Sequence, residues 1–136
     1  MDARLVALII GLIAGAVGYL VTTFWMHPIL RYLDLRQQVL SDLIFYANVV
    51  NADRLNDEMK DRMWKRVEAN RRHSADLTAC LLGLPSWYKH WLKHRGHDPK
   101  DAANNLMGLS NTFDYRDADK RIERIKTALG FGTDVI

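Results

Sequence analysis

Two short stretches hold most of the side chains that could do chemistry. The denser is Trp87-Tyr88-Lys89-His90-Trp91-Leu92-Lys93-His94-Arg95-Gly96-His97. On a helix His90 and His94 stand one turn apart and could share a metal ion, with His97 as a third ligand from the following turn. No acidic or cysteine ligand lies nearby at a recognisable spacing, and no His-Glu-x-x-His pattern occurs. The same interleaving of Trp, Tyr, Lys and His suits a segment whose rings sit at lipid-headgroup level. On that account Trp87 and Trp91, together with Trp25, contact lipid or a neighbouring subunit. Aromatic packing beneath a solvated basic face is the third account.

The other stretch holds Arg66 and His73 in an Arg-x6-His spacing, flanked by Arg71 and Arg72. An arginine can stabilise the phosphate in a transition state while a histidine moves a proton, which is what metal-free RNA cleavage needs. Seven residues along a helix leave the two roughly on one face, about 10 Å apart along the axis. A solvated charged face explains the same pattern without catalysis. Asn48, Asn70 and Asn111 lie on or beside apolar stripes, where a buried amide must find a partner. A cap and a buried polar network both account for them. No Gly-rich phosphate loop, Gly-x-Ser-x-Gly elbow or Cys-x-x-Cys pair is present, so the sequence calls for no cofactor.

What must position these residues begins with an apolar run. From Leu5 to Met26 there is no charged residue, and as a helix this run spans roughly 33 Å against a hydrocarbon core of about 30 Å. It exceeds the apolar centre of a secretory signal, no small-x-small cleavage site precedes His27-Pro28, and Phe24 and Trp25 mark an interface belt. It reads as a single membrane anchor over residues 1–30. Arg31, Arg36 and a Lys- and Arg-rich domain follow it, which favours a cytoplasmic domain with the short amino terminus outside. Ala7, Gly11, Gly15 and Gly18 share one helical face and let two anchors approach closely, so self-association is expected. A span without ionisable residues is neither a proton relay nor a voltage sensor.

Residues 31–130 read as one compact all-α domain of about five helices, followed by a frayed tail over 131–136. The first helix is expected over Leu33–Val50, with Val39, Leu40, Leu43, Ile44, Ala47 and Val50 inward. A turn at Asn51–Asp53 precedes a long helix from Arg54 to Leu82, with Leu55, Met59, Met63, Val67, Asn70, Ser74, Leu77 and Leu81 recurring every three or four residues. Gly83-Leu84-Pro85 stops it. A short helix follows over Ser86–His94, then one capped by Asp98 with Pro99 at its first position. Asp114 caps a last helix with Ala118, Ile122, Ile125 and Leu129 inward, closed by Gly130. The single Cys80 cannot form an internal disulfide and reads as a buried, inert thiol. Of 136 residues, 19 are Lys or Arg and 16 are Asp or Glu, a net charge of +3. That balance lacks the one-sided field of a nucleic-acid-binding protein and favours lipid and protein as partners.

Leu35-Arg36-Gln37-Gln38-Val39 through Tyr46-Ala47-Asn48, Arg71-Arg72-His73-Ser74-Ala75-Asp76-Leu77 and Leu106-Met107-Gly108-Leu109-Ser110-Asn111 together resemble a group of small bacterial single-pass membrane proteins of unassigned function. The layout is similar to the membrane accessory protein of type VI-B CRISPR systems. That resemblance implies one membrane helix, a helical domain related to HEPN folds, and assembly into a ring with a pore, in phage defence. The HEPN signature is Arg-x4–6-His, usually with a polar residue after the arginine. Arg66 and His73 have a permitted spacing, and Val67 departs from the preference. Three functions follow as expectations. An oligomeric, ring- or pore-like membrane effector with no enzymatic activity leads. A membrane-tethered RNA-cleaving domain using Arg66 and His73 is second, and a passive adaptor for a cytoplasmic protein third.

Overall fold

The structure, a computed structural model, describes residues 2–50 and 56–132. Its elements are α1 (Ala3–Val21), a π-helical turn (Thr22–Met26), α2 (His27–Phe45), α3 (Asp57–Gly83), α4 (Ser86–His94), α5 (Pro99–Ser110) and α6 (Tyr115–Ala128). The fold is all-α: an N-terminal apolar helix and a bundle of five helices, α2–α6, with no strand among the described residues.

The anchor expected over residues 1–30 and the first domain helix expected from Leu33 form one helix, Ala3–Phe45. Pro28 lies within it. Proline lacks the amide that would bond back one turn and crowds the preceding turn, so it normally stops or kinks a helix. Here the turn before it widens. The His27 amide bonds to the Thr22 carbonyl, five residues back, and Pro28 falls in the first turn of α2, where its missing amide costs least. The boundary drawn between residues 30 and 31 therefore lies inside a continuous helix, and Ile29 and Leu33 already pack against the core.

Along α2 the buried face is Tyr32, Leu35, Val39 and Leu43, at helical spacing. This corrects the expected face: Ile44 and Ala47 are exposed and Leu40 is half-buried. The helix ends at Phe45 rather than Val50, although Val49 and Val50 are buried beyond it. The expected turn at Asn51–Asp53 and the helix start at Arg54 and Leu55 lie outside the described residues. α3 starts at Asp57, where the Asn56 side chain accepts from the Met59 amide. It packs chiefly on α5 and α2, and α5 on α6. Leu77, Leu106, Ile125 and Leu129 form the centre of the core.

The short helices follow their local signals. Asp98 accepts from the Asp101 amide and Asp114 from the Arg116 amide, capping α5 and α6. α4 and α6 both close on a glycine in the left-handed region, Gly96 and Gly130, each at φ 76°. In both, the next residue's amide bonds five residues back: His97 to Leu92 and Phe131 to Lys126. A side chain at Gly130 would run into the His97 ring, so glycine is needed there for space as well as for conformation. Phe131 belongs to the fold rather than to a frayed tail. It packs on the core, and the Arg36 guanidinium lies 4.3 Å from its ring centre. Residues 133–136 of the expected tail lie outside the described residues.

Candidate functional site

The candidate site is where the apolar helix enters the domain. α4 can form because Pro85 precedes it with an extended backbone and Gly96 ends it. Tyr88 and Leu92, one turn apart, turn inward, which leaves Trp87 and Trp91 on the outer face, with Trp87 against the end of the apolar run. Trp25 meets Trp87 edge-on with ring centres 6.3 Å apart. Trp87 meets Tyr88 edge-on at 5.6 Å, Tyr88 stacks on Trp91 at 5.3 Å, and Tyr32 meets Tyr88 edge-on at 6.2 Å. Each such contact adds to simple burial. Arg95 covers the outer end of the chain, 5.0 Å from the Trp91 ring.

This cluster is graded from dry to exposed. Tyr32 is buried, and burial pushes its hydroxyl up to about 12; burial also raises the Tyr88 hydroxyl. Trp25, Trp87 and Trp91 keep 49%, 53% and 42% of their surface exposed, beside an exposed Phe24. Half-exposed indole rings at the end of an apolar span are the arrangement that suits a headgroup region, with an apolar body and a polar tip. The sequence singled out the three tryptophans that lie together here, Trp25 on Trp87 and, through Tyr88, Trp91. It missed Tyr32 and Tyr88, which join them to the core; their i, i+3 and i+4 relation to Leu35 and Leu92 was the available signal.

The other predicted residues are placed differently. Among the described residues no three His, Cys, Asp or Glu side chains gather as a metal site requires, so His90, His94 and His97 are not brought together. His90 and His94 are exposed, while His97 is half-buried against Gly130. Desolvation, helped by Arg36 and Arg95, holds its imidazole below the usual histidine range.

Arg66 and His73 are both buried, at 3% and 7% exposure, which corrects the solvated face that their charge suggested. The Arg66 guanidinium donates to the carbonyls of Val50, Thr112 and Leu109 at 3.3, 3.2 and 3.5 Å. It thereby ties the chain after α2 to the chain after α5, and burial lowers its pKa. A guanidinium engaged by three backbone carbonyls is a structural bracket. His73 Nε2 lies 2.7 Å from an Asp42 carboxylate oxygen, joining α3 to α2 beside a polar cavity of about 370 Å³ that Lys65, Glu68 and Arg72 also line. The two residues therefore serve different contacts. Of the three asparagines only Asn70 is buried; Asn48 is exposed, and the exposed Asn111 side chain accepts from Arg71 at 3.1 Å. Cys80 is buried, and burial raises its thiol pKa, as an inert thiol requires.

On α1 nothing is buried, and a side chain added at Gly11, Gly15 or Gly18 would meet no atom within 4 Å. The small-residue face, with Ala7, is open along its length. The chain matches no protein-family model, no curated protein and no solved structure.

Proposed function

We propose that this chain is a single-pass inner-membrane protein that works as an oligomer, assembling through the Ala7, Gly11, Gly15 and Gly18 face and holding its helical domains side by side at the cytoplasmic surface. The observation that carries the reading is the unbroken helix Ala3–Phe45. Its first half has an open small-residue face, and its second half forms part of the domain core. Packing of the anchors would then fix how the domains face one another, because no flexible joint intervenes. Trp25, Trp87 and Trp91 would set the depth of the domain at the headgroups.

Within this reading a ring or pore-like effector in phage defence is the specific form proposed, and a passive scaffold for a cytoplasmic protein is its simpler form. Both are non-enzymatic. The bonding of Arg66 to three carbonyls supports that choice over RNA cleavage, since both terminal guanidinium nitrogens are engaged within the fold. Sedimentation of the full chain in mild detergent tests the assembly: an oligomer is expected that Gly11→Leu with Gly15→Leu converts to monomer. A wild-type chain that stays monomeric across concentrations would sink it. Ion flux through liposomes then separates the pore, which predicts leakage, from the scaffold, which predicts none.

A further inference from the structure

On the far side of α4 from the tryptophans runs a groove of about 600 Å³ between the end of α3, α4 and the first turn of α5. Its apolar lining comes from Leu81, Leu82 and Leu92, and its cations are Lys89, Lys93 and Lys100. Lys89 and Lys93 stand one turn apart on α4, and Lys100 faces them from α5. Among the described residues none of the three has an ion-pair partner. The one carboxylate in the lining, Asp98, is engaged as the α5 cap, accepting from the Asp101 amide at 3.1 Å.

The groove shares the last turn of α3, through Leu81 and Leu82, with the junction of the apolar helix and the domain. The last turn of α3 borders the end of the apolar span, since Ala79, Cys80 and Gly83 line one cleft with Thr23 and His27. Leu82, in that turn, is 81% exposed, the most exposed large apolar side chain of the described residues. A leucine so exposed loses its contact with water when an apolar group such as an acyl chain lies against it. The lysines of the same groove supply positive charge without an ion-pair partner among the described residues, as a headgroup phosphate would require. An apolar wall and a cationic cluster in one groove fit an amphiphile with an anionic head.

We propose that this groove holds one anionic phospholipid of the adjoining leaflet, with Lys89, Lys93 and Lys100 around its phosphate and Leu82 against its acyl chain. The inference rests on the membrane reading above. A lipid seated there would brace α4 and so fix the side of the domain opposite the tryptophan collar.

Native mass spectrometry of the full chain in mild detergent tests it, with phosphatidylglycerol and phosphatidylcholine of matched acyl chains added in turn. The wild type is expected to keep one phosphatidylglycerol at roughly tenfold lower added lipid than phosphatidylcholine. Lys89→Gln with Lys93→Gln and Lys100→Gln should erase that preference, while Lys60→Gln with Lys120→Gln, on other exposed faces, should keep it. Leu82→Glu, at a site too exposed to disturb the core, should also weaken retention. The proposal is overturned if the triple variant keeps the wild-type preference, if the control pair loses it equally, or if glycerol phosphate displaces the lipid at equal concentration. Resistance of the wild type to alkaline extraction from membranes is read in parallel. Extraction into the soluble fraction would defeat the membrane reading, whereas a retained chain without the lipid preference would defeat the groove alone.

Discussion

The two halves of the Ala3–Phe45 helix meet different fates within one continuous backbone. In α2 a stripe of Tyr32, Leu35, Val39 and Leu43 is buried against the bundle. In α1 no residue is buried, and the glycine face is open. In water an unpartnered apolar stripe is driven inward by hydration, so α2's partners had to be built into the same chain. In hydrocarbon that drive is absent, and close packing on small residues takes its place. The domain half is therefore complete within one chain, while the apolar half, on the function proposed above, is completed by lipid or a second copy. On the proposed function, stability and assembly would reside in separate halves of one helix and could be altered separately.

The largest effect should come from the bracket that secures the end of the domain half. Arg66→Ala removes the donor shared by the carbonyls of Val50, Leu109 and Thr112 and leaves them buried. A loss of about 3 kcal/mol or more is expected in denaturant unfolding of the full chain in detergent. A loss below about 1 kcal/mol would mean that water satisfies those carbonyls and that the bracket is incidental.

Next come matched substitutions on the two halves. Val39→Ala opens space at a fully buried position and should cost about 2 kcal/mol in the same unfolding measurement, with assembly unchanged. Gly15→Ile should leave unfolding unaltered and raise the dissociation constant of the oligomer by roughly tenfold or more. If both variants moved both measurements, the division between the halves would collapse. A smaller effect is expected at the junction. Trp25→Ala breaks the edge contact with Trp87 and should lower domain stability by about 1 kcal/mol.

How far this arrangement was legible in the sequence depends on how local each determinant is. The caps at Asp98 and Asp114 and the stops at Gly96 and Gly130 act over a few residues, so α4, α5 and α6 could be read directly. The tryptophan collar was legible by type, since Trp25, Trp87 and Trp91 flank an apolar run. Helix continuity through Pro28 was not, because a π turn is a backbone adjustment that side-chain pattern does not record. Arg66 and His73 misled because charge suggested solvent, although each lies three or four positions from inward residues: Met63 and Asn70 for Arg66, Asn70 and Leu77 for His73. Periodicity was the better guide there than residue type. The carbonyls that satisfy Arg66 come from chain 16, 43 and 46 residues away, a separation no local pattern reveals.

The smallest expected effect separates the halves by pH. His97 lies against Gly130, and desolvation with Arg36 and Arg95 lowers its pKa from the ordinary 6.5. The unfolded chain therefore binds this proton more readily than the folded one. The stability that His97 contributes is fully present above about pH 6.5 and is lost as pH falls from there to the folded-state value. His97→Gln, compared with wild type in melting curves at several pH values between 5 and 8, should remove that part of the acid slope. It should leave the slope due to other groups. The effect is expected to be smaller than that of Val39→Ala, because His97 is only half-buried. Assembly gives the contrast. The run from Leu5 to Met26 holds no residue that changes charge in this range, so association through α1 should stay constant while the melting temperature falls. An oligomer that dissociates over the same pH interval in which the domain loses stability would show that the two halves are coupled, and that the continuous helix transmits the domain's protonation into the membrane.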